Sequence, residues 1–476
     1  MIENKNNIYF YWKLISIYII ARIFTYYLQI VPVGEEIAVR WDILNPEIFR
    51  QDLFGSVYYY HFKPPLWNLI LGIFIKIFGL DYKIIGIILH FLNIILSFFT
   101  IYYFYLITSF FKLTKIQIYI VYFIFFIFSL GFLYYETYIH YAHLTVFLFA
   151  QFSYLYLKFA ENHSLKYELY IYFTALLLGL TWSPFSIPFF MFVLFIGFTL
   201  IKFKQNILRS FLICCVFILL SLTSSIKNKI EVNVFANNTS VGISLFTILN
   251  DRYNWEQSKQ NFLNTNDYSW KCNFSPFGLK EDEEAFKKNN PTFKNSHPAL
   301  TGNLSKLNNV GYIHRSKKCL NLAIKVILKE PLDYLNRLKF IFISSHGHFT
   351  FDHTGWDPRE WKKYFSIFYD LNDYKYLGSI KVRLLQLYYF LMYSFFVLLT
   401  IKNLVQINSN KNKFNKSISS IFLIYAWIIF VIHVGVGYEH ERMRHTGHFL
   451  HIIFFIILLK HKFNYKNIVQ EYFKQQ

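Results

Sequence analysis

Charge is what this sequence has least of. Asp, Glu, Lys and Arg make up 16% of its 476 residues, against about 25% in an average soluble protein. A soluble chain of this length splits into two or more domains whose surfaces need more charge than that. An ordinary cytosolic enzyme is therefore excluded. What charge there is sits unevenly, nearly half of it between positions 227 and 380. Also missing are a phosphate-cradling glycine loop, the H-E-x-x-H metal signature and any internal repeat. No basic stripe with interleaved aromatics appears either, so the net charge of +20 does not point to nucleic acid. An AT-rich genome supplies much of that excess, along with the abundant Ile, Asn, Phe and Tyr.

What is present is apolar and long. Residues of the AVILMFWYC set make up 55% of the chain, and runs of about 17 to 25 of them suit membrane-crossing helices. The pattern predicts an all-α integral membrane protein of about ten spans, near 14–31, 84–108, 116–133, 141–157, 167–181, 185–201, 210–226, 383–401, 418–436 and 447–459. With the amino terminus inside, every short inner loop is basic: Lys5 and Lys13, Lys112 and Lys115, Lys158 and Lys166, and Lys202, Lys204 and Arg209. Lys402 to Lys416 and the tail from Lys460 continue the series, as the positive-inside rule asks. The first helix is too long for a cleavable signal, and no small-residue cleavage site follows it. Residues 65–80 carry Lys76 and are too short to span, so they read as a helix lying in the interface.

This divides the chain into a membrane module over 1–226 with a first outer loop at 32–83, an outer domain of mixed structure over 227–380, and a second membrane module with its tail over 381–476. Helical periodicity runs from Ser316 to Ser344 with Pro331 as a break. The chain has four cysteines. Cys214 and Cys215 lie inside a span, whereas Cys272 and Cys319 share the outer domain, where an oxidising compartment permits a bridge.

Polar chemistry collects in two places. The first outer loop carries Glu35, Glu36 and Asp42, then His61, Lys63 and the Pro64-Pro65 pair that opens the interfacial helix. A carboxylate there stands where a general base must stand to meet a hydroxyl at the headgroup level, and the prolines present Lys63 at a defined depth. Each acid is equally readable as a solvated loop charge. Near the end, Glu439, Glu441, Arg442 and Arg444 occupy a short outer turn. The arginines suit bidentate phosphate binding, or an internal ion-pair network with the two glutamates. His445, His448 and His451, and the group His346, His348, Asp352, His353 and Asp357, are candidate metal ligands without a specific signature, and polar helix faces explain them more simply. Arg22 falls midway along the first span and is expected to face the bundle interior.

In arrangement the chain resembles the polytopic GT-C type glycosyltransferases that take sugars from polyprenyl-phosphate carriers, among them the protein O-mannosyltransferases and lipid A aminoarabinose transferases. The similarity rests on an acid just after the first helix, the segment His61-Phe-Lys-Pro-Pro-Leu-Trp67, the turn Tyr135-Glu136 to Tyr141, and Glu439-x-x-Arg442-x-Arg444. Glu35-Glu36 stands where the family usually has Asp-Glu, and the proline that commonly follows the late signature is absent. The outer domain is poorly covered by the resemblance.

The resemblance implies an inverting transfer from a polyprenyl-phosphate sugar to a hydroxyl on protein, lipid or glycan at the outer face. Glu35 or Glu36, with Asp42 in reserve, is the expected base. Lys63, Arg442 and Arg444 are expected on the donor phosphate, and His61, Glu136 and Glu439 on substrate. No cofactor is required, a divalent metal is a lesser alternative, and a bacterial plasma membrane is preferred to an endoplasmic reticulum. The competing expectations are a transporter or flippase of an anionic lipid and a structural membrane subunit.

Overall fold

A computed structural model describes residues 2–27, 32, 34–39, 43–127, 129–196, 207–249, 272, 278–295, 297–301, 303–332, 334–336, 338, 394, 397–401, 413–435, 446–447, 449–454 and 456–457. Within these residues the chain is mostly helical, 82%, with no strand. Helix α1 covers Ile2–Tyr27 and the first loop holds three short helices, α2 (Glu36–Val39), α3 (Pro46–Gln51) and α4 (Leu53–Tyr58). Then come α5 (Leu66–Phe78), α6 (Tyr82–Phe110), α7 (Lys115–Tyr122), α8 (Leu130–Thr137), α9 (Ala142–Asn162), α10 (Leu165–Thr181), α11 (Ile187–Ile196), α12 (Ile207–Val232) and α13 (Val241–Leu249). Helices Leu279–Asn289, Val310–Lys329 and Lys413–Gly435 follow.

Three helices among the described residues are long and apolar enough to cross a membrane: Ile8–Tyr27, Tyr82–Phe110 and Leu208–Val232. Their outward faces support a lipid setting. Ile20, Ile23 and Phe24 on α1 and Leu208, Leu212 and Leu219 on α12 are exposed, which water would penalise and hydrocarbon does not. Helix α9 lies inside instead, buried nearly all round and packed on α6, α8, α10 and the helix Lys413–Gly435.

The run expected as one span over 116–133 is broken. A capping box between Thr114 and Gln117 starts α7, a single π turn occupies Phe123–Ile127, and the Ser129 side chain accepts the Phe132 N–H to begin α8. Helix α5 falls within the helix expected over 65–80. Trp67, Asn68, Leu71, Gly72 and Ile75 form its buried face while Ile73 and Ile77 remain exposed. Gly79, at φ +70°, ends it in a conformation that a side chain would disfavour.

The outer domain, expected to be of mixed structure, is described in part. Its described residues form helices joined by turns, because the Glu283–Lys287 pair supports Leu279–Asn289 and an apolar stripe through Tyr312, Cys319, Leu322, Ala323 and Val326 supports Val310–Lys329. That helix stops at Glu330, immediately before Pro331. Arg315, fully buried, locks the two helices by bonding Asp282 Oδ2 through Nε at 2.9 Å and Nη2 at 2.8 Å. Cys272 and Cys319 form a disulfide with Cα atoms 5.6 Å apart.

Candidate functional site

The acidic loop is seated by its backbone. Glu35 lies in a turn, exposed, followed by α2, in which Ile37 is wholly buried. The Ile37 N–H donates to the Gly34 carbonyl at 3.0 Å and the Ala38 N–H to that of Glu35 at 3.1 Å. Gly34 packs so closely on the start of α6 that a Cβ would strike the Tyr82 carbonyl. Further along, the Leu44 N–H donates to Asn68 Oδ1 of α5 at 3.2 Å, and Asn45 caps α3 by accepting the Glu47 N–H at 2.9 Å. From the outer domain, Lys306 Nζ donates to the Ala38 carbonyl at 2.9 Å. The acid-bearing turn is thus held against the start of α6 and by Lys306 of the outer domain.

Residues 59–62 are strapped by the outer domain and the end of α12. Lys227 donates to the Tyr60 carbonyl, and the Thr239 N–H donates to that of His61 at 3.3 Å. His61 Nδ1 lies 2.9 Å from Thr239 Oγ1, and the His61 ring is buried. Burial, with the nearby Lys227 charge, lowers the His61 pKa to about 3, so the imidazole is neutral at physiological pH. Next in sequence, Lys63 sends its ammonium out of solvent to 5.5 Å from the ring centre of Tyr141 and 5.7 Å from that of Phe62. Tyr141 stands at the α8–α9 turn, so Lys63 joins the first loop to the bundle.

Below this turn lies a buried polar network. Arg22 Nε is 2.7 Å from Glu136 Oε1 and Nη2 is 3.0 Å from Oε2, while Nη2 also donates to the Phe126 carbonyl in the π turn at 3.1 Å. Tyr18 donates to Glu136 Oε2, and the Ser97 hydroxyl reaches the same oxygen at 3.1 Å. Ser97 Oγ is also 2.9 Å from His143 Nε2. Asn93 Nδ2 donates to the Glu136 carbonyl at 2.9 Å, with His90 Nδ1 at 3.2 Å from it. A charge removed from water requires such pairing and added hydrogen bonds.

The first loop holds Glu35 and the α2 backbone of Glu36 at one end and His61 and Lys63 at the other. Glu136, expected on substrate, is wholly buried and engaged with Arg22. Arg22 faces the interior as expected. Asp42, Glu439, Arg442 and Arg444 lie outside the described residues, as do His445, His448 and the group 346–357. His451 is described and buried, with Nδ1 2.9 Å from the Tyr425 hydroxyl. Among the described residues no three His, Cys, Asp or Glu side chains gather as a metal would need.

Sequence reasoning missed Tyr18, His90, Asn93, Ser97 and His143, although His90, Asn93 and Ser97 recur at three- and four-residue spacing in an otherwise apolar helix. That spacing was the available signal. It also missed Thr239 and Asn308, which carry no local signal. No known protein family, curated protein or solved structure matches this chain.

Proposed function

We propose that this protein is a membrane glycosyltransferase of about ten spans that moves a sugar from a polyprenyl-phosphate carrier to a hydroxyl acceptor on the outer face of the membrane. The observation that carries this reading is the opposite fate of two charges from one loop. Glu35 is left in solvent, while the Lys63 ammonium is drawn out of it against Tyr141.

That polarity suits the reaction. An acceptor hydroxyl arriving from water meets a carboxylate, Glu35 or Glu36, which takes its proton as the oxygen attacks the anomeric carbon. The bond from that carbon to the phosphate oxygen breaks with inversion, and the departing lipid phosphate gathers negative charge at the membrane edge. Lys63, together with Arg442 and Arg444, stabilises it. Asp42 is the reserve base. No nucleotide or metal enters this scheme, and the acceptor class, protein, lipid or glycan, is open to assay. A bacterial plasma membrane is the proposed location.

The intramembrane Arg22–Glu136 pair favours a second reading, transport of an anionic lipid, because charges at that depth commonly belong to translocation pathways. One experiment separates the two. Release of polyprenyl phosphate from labelled polyprenyl-phosphate sugars is measured with the purified parent and with Glu35→Gln, Glu36→Gln, Asp42→Asn and Lys63→Ala. Turnover abolished by a single carboxylate change, with donor binding retained, supports the transferase. Saturable lipid binding without turnover for any donor and acceptor mixture supports transport.

A further inference from the structure

The segment that carries Lys63 cannot hold itself. Pro64 and Pro65 lack N–H groups, so they offer nothing to a local hydrogen-bond ladder. The preceding N–H groups are buried with His61 and Phe62 and must be satisfied elsewhere. One side chain does this. Asn308 Oδ1, at the end of the 3-10 helix Asn303–Asn308 in the outer domain, accepts the His61 N–H at 2.7 Å and the Phe62 N–H at 3.0 Å.

Its amide nitrogen is equally committed, donating to the Tyr59 carbonyl at 3.1 Å and the Ala299 carbonyl at 2.6 Å. A primary amide has two donors and two acceptor lone pairs, and all four are used here. Asn308 is 2% exposed, so no water substitutes for it. Three of the four residues before Lys63, namely Tyr59, His61 and Phe62, are therefore fixed by one side chain 247 positions from His61.

We propose that Asn308 is a positioning residue that sets where the Lys63 ammonium stands, making the outer domain the part of the protein that governs the cation facing a lipid phosphate. This rests on the reading of Lys63 as a phosphate ligand. Thr239 assists by gripping His61 from the same domain. Without Asn308, two buried N–H groups lose their acceptor, the strap must rehydrate, and Lys63, one residue further on, leaves Tyr141.

The test is lipid discrimination, which a merely structural role leaves unchanged. Dissociation constants for farnesyl phosphate and farnesol are measured in detergent with the full chain as parent, Lys63→Ala, Asn308→Ala, Thr239→Val and the Lys63→Ala/Asn308→Ala double variant. The parent is expected to prefer the phosphate by about tenfold or more, the size of one charge-assisted contact. Lys63→Ala lowers the preference by that factor, leaving what Arg442 and Arg444 supply. Asn308→Ala reduces it to the same level with farnesol affinity nearly unchanged, and the double variant is no worse than either single one.

Thr239→Val lowers the preference in part, and it decides the matter if Asn308→Ala does not fold. Equal weakening for both lipids, or additive losses in the double variant, overturns the positioning role. If Lys63→Ala lowers the preference while Asn308→Ala and Thr239→Val keep it at the parent level, the positioning role alone falls. A parent with no preference overturns the phosphate reading of Lys63 and the positioning role with it.

Discussion

Arg22 of the first helix and Glu136 of α8, 114 positions apart, form an ion pair of 2.7 Å with side-chain exposures of 6% and 0%. Removing one partner strands the other charge in a medium that cannot solvate it. Arg22→Met and Glu136→Met are each expected to cost about 3–5 kcal/mol, and the Arg22→Met/Glu136→Met double variant to recover much of that loss. Reversible unfolding in mixed micelles checks the triad of variants. A double variant as weak as the sum of the singles would sink the pairing account.

His61 predicts an acid-side loss of stability. Its folded pKa, about 3, lies below the ordinary 6.5, so between those values the unfolded chain binds a proton that the folded chain refuses. Stability contributed by this group is complete above pH 6.5 and declines as pH falls towards 3, by up to about 1.4 kcal/mol per pH unit. Comparing melting curves of the parent and His61→Asn across that window tests it, with a flatter profile expected for the variant.

Gly34→Ala probes the seat of the acidic loop. The added methyl meets the Tyr82 carbonyl, so the turn carrying Glu35 must shift. Displacement of a catalytic group by about an ångström costs up to roughly 100-fold, so on the proposed function release of polyprenyl phosphate is expected to fall by one to two orders of magnitude with the helical circular dichroism retained. Unchanged turnover would show that Glu35 is not held for chemistry by this contact.

The Cys272–Cys319 bridge closes a loop of sequence separation 47. On the chain-entropy account, opening such a loop costs about 4 kcal/mol. Cys319→Ser is therefore expected to lower the unfolding midpoint, and added reductant to bring the parent down to the variant. A parent indifferent to reductant would argue against the bridge as a source of stability.

Much of the architecture was legible in the chain. The lengths of the apolar runs, the Pro-Pro start of α5 and the stop before Pro331 are local features, and among the described residues three helices are long and apolar enough to cross a membrane. The break of 116–133 was less legible, because a π turn and a serine cap both fit within an apolar composition. The candidate site was half visible. Glu35, Glu36, His61 and Lys63 stand out by residue type, whereas Asn308 looks like any asparagine in an Asn-rich stretch.

By itself the sequence determined that the chain is mostly helical with runs long and apolar enough to cross a membrane, and that its polar chemistry collects in an early loop and a late turn. These depend on the spacing of residues along a single helix and on their transfer energies, which neighbours in the chain decide. Only the tertiary structure decided that Arg22 meets Glu136, that Ser97 links Glu136 to His143, and that Asn308 holds the strap before Lys63. Such partners depend on how each helix is rotated and how deep it sits against the next. Packing sets both, and no local spacing encodes them.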